Sequence, residues 1–174
     1  MRDYGPLCRV DALGPTPALE MIDRCVVETG TATLYSAIGS HSREPLLGEI
    51  VDRIRQDEVR HFKHFYRYFR KYQRGERLGR VRVARALIGR LAEVRRDDAA
   101  CAFRHVFAAR YPQFAADSRR MDAWTRQVYS VARAQYPFAA ATKMILAPLG
   151  LSPAMKSWLG PPLAFTARVV MWGL

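Results

Sequence analysis

Glu58 and His61 stand three residues apart in the run Asp57-Glu58-Val59-Arg60-His61-Phe62. Glu28 is the only charged residue between Val26 and Ser40. On a helix, a spacing of three puts a carboxylate and an imidazole on one side, a turn apart. At about 100° per residue, Leu47, Ile50, Val51, Ile54, Phe62, Phe65, Tyr68, Phe69 and Tyr72 share one sector of their helix. Arg53, Arg60, Lys63, Arg67 and Lys71 fall outside it. Glu58 and His61 break that apolar sector near its centre. An unpaired ionised carboxylate in such a place costs several kcal/mol or shifts its pKa. One account is a buried Glu–His pair satisfied by hydrogen bonds. The other is a metal ion, whose charge offsets the carboxylate and which takes the neutral imidazole as ligand. Glu28 would add a second carboxylate from a neighbouring helix, unless it pairs with Arg24, four residues earlier, as a surface salt bridge.

The elements that must position these groups are helices. Thr16-Pro17 offers an N-cap followed by proline at the first helical position, opening a helix over 17–38 that stops at Gly39-Ser40. Ser42 and Pro45 open a second helix, 44–73, before Gly75. A third fits 80–110, ending before Tyr111-Pro112, and a fourth, capped by Ser118, fits 119–136 with Pro137 beyond it. Residues 1–15 read as an irregular lead-in. Residues 152–174 read as short helical pieces interrupted at Gly160-Pro161-Pro162. No stretch alternates with period two, nothing repeats at solenoid spacing, and no linker divides the chain. The reading is one all-α domain, an antiparallel four-helix bundle with added short C-terminal helices.

Glu28 with Thr-Gly-Thr-Ala-Thr-Leu-Tyr35 after it, and then Asp57-Glu58-Val59-Arg60-His61, resembles the first half of the ferritin-like superfamily. The Asp-Glu-x-Arg-His form is similar to that of soluble acyl-carrier-protein desaturases and related di-iron oxidases. The resemblance covers residues 17 to 72. It implies a ferritin-like bundle, Glu28, Glu58 and His61 as ligands to Fe (one or two ions) or Mn, and an oxygen-activating oxidoreductase of oxidase, hydroxylase or desaturase type. It also implies an apolar or acyl substrate. Tyr35, two turns from Glu28, would be an ordinary core tyrosine or a partner to a ligand.

The family pattern needs a second set, a Glu on the third helix and Glu-x-x-His on the fourth. The fourth helix here has neither Glu nor His, and its one acid, Asp122, sits in the first turn, where it serves the helix dipole. On the third, Leu87, Leu91, Val94, Asp98, Cys101 and His105 form one stripe. Asp98 could replace the expected Glu with a shorter reach. His105 lies about 10 Å further along, too far to share an ion with Asp98 directly. Three states are open: two ions with unorthodox ligands, one ion on Glu28, Glu58 and His61 with water or Asp98 completing the shell, or a cluster that has lost its metal. Carboxylates and an imidazole with open positions suit Fe or Mn better than structural zinc.

The 174 residues carry 28 Lys and Arg against 16 Asp and Glu, a net charge of +12. Arg67, Arg70, Lys71, Arg74, Arg77 and Arg80 begin a basic cluster that runs into the third helix. It is either a solvated face or a docking patch for an acidic protein, acyl carrier protein by analogy, or for an anionic membrane surface. Trp158, Phe165 and Trp172 in the apolar C-terminal pieces would help a membrane contact. No nucleic-acid reading motif accompanies the charge. The alternative function is therefore a non-catalytic, degenerate ferritin-like protein whose basic face binds a partner. Cys8, Cys25 and Cys101 have no paired spacing, and the N-terminus has no apolar signal core, so a cytoplasmic protein, peripheral at a membrane at most, is expected.

Overall fold

Thr16 begins the first helix as expected: its hydroxyl accepts from Leu19 N and Pro17 occupies the first position. The structure, a computed structural model, describes residues 14–93 and 98–172, with side chains apart from those of 93, 98, 99 and 170–172. Most of the lead-in, including Cys8, lies outside the described residues. Helix α1 (Pro17–His41) and α2 (Pro45–Glu76) form an antiparallel hairpin; α3 (Arg80–Glu93), α4 (Asp98–Arg110), α5 (Ser118–Gln135), α6 (Phe138–Leu146) and α7 (Pro153–Trp172) follow. Single 3-10 turns cover Pro112–Phe114 and Ala147–Leu149. Among the described residues there is no strand.

Several boundaries differ from the sequence reading. Gly39 lies inside α1 and does not end it: a Cβ there would sit 3.1 Å from Val51 Cγ2, so this glycine admits a neighbouring helix. Ser42 closes α1, its N–H donating to the Ile38 carbonyl, and Glu44 caps α2 by accepting from Leu46 N and Leu47 N. Asp117 caps α5, one residue before the expected Ser118. Of the expected third helix, 80–110, residues 80–93 and 98–110 are helical, as α3 and α4, and the stretch 94–97 lies outside the described residues. Helix α7 continues through Pro161 and Pro162. Proline removes two backbone donors there, but its fixed φ is helical, and Gly160 has no Cβ to clash with the first ring.

Helix α1 packs along α2 and also meets α3, α5 and α6, while α4 packs on α5 and α7 on α6. Ala18, Cys25, Ala32 and Gly39 recur every seven residues along α1, the first three of them buried. Small side chains on such a line let another helix come close. Glu76, in the last turn of α2, reaches back to the start of α1, where one oxygen accepts from Ala18 N at 2.8 Å and the other from the Thr16 hydroxyl. That clamp joins one end of the hairpin, and the Gly39–Val51 approach joins the other. Between them lies the main core, built on Ile22, Val26, Phe69, Val83 and Leu87. On the other flank of α1, the hydroxyls of Thr33 and Tyr136 share a hydrogen bond at 2.8 Å.

Arg77 ends α2 at φ 51° and ψ 40°, in the left-handed region. That conformation costs a side chain with a Cβ about 1–2 kcal/mol and costs glycine little. Arg77→Gly is expected to raise the unfolding free energy by about 0.5–1 kcal/mol after the added freedom of the unfolded chain is counted. A urea titration should show a higher midpoint at unchanged slope.

Candidate metal centre

The hairpin register that clamps Ala18 to Glu76 also sets Glu28 opposite Glu58 and His61. His61 Nδ1 lies 3.2 Å from Glu58 Oε2 and 3.6 Å from Glu28 Oε2. One donor atom from each residue falls within 4.8 Å of the others, the only such group of three His, Cys, Asp or Glu among the described residues. The bland pairing of Glu28 with Arg24 is not what forms. Arg24 pairs with Glu20 at 2.8 Å and lies 6.0 Å over the Phe65 ring. Asp57, next to Glu58 in sequence, is held by Arg60. Two carboxylates and an imidazole are left facing one another.

These donors fit a divalent transition metal. Two ligands at about 2.1 Å from one ion are at most about 4.2 Å apart, so a set spanning 4.8 Å closes on an ion with a small side-chain movement. Charge points the same way. Burial, and then hydrogen bonding and repulsion from Glu58, push the Glu28 carboxyl up to about 7, with His61 partly opposing. Holding both carboxylates ionised side by side calls for a positive partner, which a cation supplies.

The site lies at the edge of the hairpin rather than inside a closed bundle. The side chains of Glu28 and Glu58 are 13% and 19% exposed, but that of His61 is 58% exposed. The wheel placed Leu47 and Ile50 in the core sector; both are exposed, at 39% and 45%. Val51, Phe62 and Phe69 alone are buried on α2, because α1 covers one side of a stripe broad enough for two neighbours. Two further ligand expectations, Asp98 and His105, fall on α4. The Asp98 side chain lies outside the described residues. His105 is exposed on α4 and is not brought to Glu28. Helix α4 turns its aromatic face to α5, with Phe103 and Phe107 each within 5.8 Å of the Trp124 ring centre. Cys25 and Cys101 are buried and free, and burial pushes the Cys25 thiol up to about 12. A groove lined by Leu19, Asp23, Val81, Arg82 and Arg85 opens on another face of α1, Asp23 being turned about 140° from Glu28.

Sequence reasoning missed Glu76, whose signal was an acid in the last helical turn, where the helix dipole disfavours it. Comparison of the chain with protein-family models, curated proteins and solved structures finds no match.

The raised Glu28 carboxyl gives a pH dependence of defined sign. Without metal, the folded chain holds this proton up to about pH 7, while the unfolded chain releases it near the ordinary value of 4.5. Its contribution to stability is complete below about 4.5 and is lost as pH rises to about 7. In chelator, wild type should therefore lose unfolding free energy relative to Glu28→Gln across that window. A constant difference between the two proteins would contradict it. Cation binding should strengthen as pH passes 7, since the ion competes with this proton.

Proposed function

We propose that this is a metal-dependent oxidoreductase of ferritin-like type, with Glu28, Glu58 and His61 as ligands to Fe or Mn. The observation that carries the reading is the convergence of two carboxylates and one imidazole from two adjacent helices within 4.8 Å. This is the Glu plus Glu-x-x-His unit of carboxylate-bridged bundles. Iron or manganese bound there would supply oxygen activation and one-electron redox chemistry. The chain's own residues do the rest. Glu28 and Glu58 bring charge that selects a cation. The neutral His61 ring favours a transition metal over calcium or magnesium. Ile54 and Phe65, half-buried one turn to either side, give the approach an apolar wall suited to an organic substrate.

Protein expressed with added Fe or Mn and purified without chelator should carry about one ion per chain by elemental analysis. Glu58→Ala and His61→Ala should lose most of it while keeping their helical circular dichroism, because both residues lie at the rim. Metal-free wild type under these conditions would sink the reading.

A second reading rests on charge. Residues 63–90 hold ten Lys and Arg and one acid, and α7 exposes Trp158 at 84% and Phe165 at 68%. This combination suits a non-catalytic role at an anionic surface. Among the described residues no helix is long and apolar enough to cross a membrane. Co-sedimentation with phosphatidylserine vesicles should fall severalfold between low and moderate salt if that face acts electrostatically.

A further inference from the structure

We propose that a second copy of this chain completes the metal centre, docking its own α1–α2 face across the two-fold from the first. This rests on the metal reading of Glu28, Glu58 and His61. The first observation is incompleteness. The site offers three protein ligands and opens outward through a half-exposed His61, and α5 carries no Glu or His to close it. Two copies together supply four carboxylates and two imidazoles. That is the ligand set of a two-metal carboxylate bundle, one Glu from each of two helices and Glu-x-x-His from each of the others. A two-fold contact is self-complementary, so one half-site faces its own copy without any further sequence feature.

The second observation is the surface around it. Ile50 and His61 are eleven residues apart, three turns, and so point the same way from α2. Ile50 is 45% exposed and Leu47 beside it 39%. These apolar side chains on a helix otherwise rich in charge are covered when a second hairpin lies against them.

Charge is the third. The chain is +12 overall, yet the hairpin residues 17–76 hold nine acids against ten Lys and Arg, a net of +1. Most of the net charge lies outside the hairpin, so two copies meeting there bring together nearly neutral surfaces, and the bound cations offset the facing carboxylates. The contact is therefore metal-dependent, with two ions per dimer and one per chain.

Sedimentation equilibrium or native mass spectrometry of the full chain, loaded with Mn²⁺ and then stripped with EDTA, tests this. Metal-loaded protein should run at about 40 kDa, twice the 19.8 kDa chain, and stripped protein at about 20 kDa. Ile50→Glu, an exposed substitution that leaves the fold intact by circular dichroism, should weaken the loaded dimer at least tenfold. A folded chain that binds one Mn²⁺ and stays monomeric overturns this inference and leaves the metal reading standing. A dimer indifferent to both EDTA and Ile50→Glu uses another face and also overturns it. Failure to bind metal overturns both readings.

Discussion

The register between α1 and α2 is the constraint on which everything else depends. Glu76 ties the last turn of α2 to the first turn of α1, and Gly39 lets Val51 close to 3.1 Å near the other end. With both ends fixed, the middle has no freedom: Glu28 must meet Glu58 and His61. A slip of one residue would turn each ligand by about 100° and scatter the cluster. The backbone contributes as well. The buried Thr29 and Thr33 hydroxyls donate to carbonyls one turn back, so α1 carries polar side chains through the packed region with their hydrogen bonds met.

Helical class and hairpin were legible because their signals are local. Thr16-Pro17, the three-residue link before Pro45, and the i, i+3 spacing of Glu58 and His61 each act within a few residues. Packing was not. The wheel correctly grouped Leu47 and Ile50 with Phe62 and Phe69, but it cannot show how much of a stripe a neighbour covers, and α1 leaves the outer side open. The stripe running through Leu87 and His105 puts His105 on the inner face of the third helix. Helix α4 is committed to α5 through Phe103, Phe107 and Trp124, and His105 on it is exposed, which periodicity alone does not distinguish from burial. Gly39 and the Pro161-Pro162 pair misled for one reason. Both read as helix stops in sequence, and both are absorbed where the surroundings need a missing Cβ or tolerate a missing donor.

Placing Glu28, Glu58 and His61 at the rim separates two tasks that a closed bundle combines. The core that stabilises the chain gathers at the α3 end of the hairpin, around Ile22, Phe69 and Val83, all essentially fully buried. The candidate centre lies further along the same two helices, its side chains at the rim while Val26, Ala32 and Phe62 beside it are buried. Changes to the outward-facing His61 therefore need not propagate into the fold.

The partition of charge has a consequence of another kind. A molecule that gathers ten positive side chains within residues 63–90, around the α2–α3 turn, and a small negative excess within 17–62 carries its charge unevenly. Against any negatively charged boundary it is turned before it touches. The basic α2–α3 turn leads, and the opposite end of the hairpin is biased away from that boundary. Rotational freedom is thus reduced ahead of contact, and the protein approaches such a boundary already oriented.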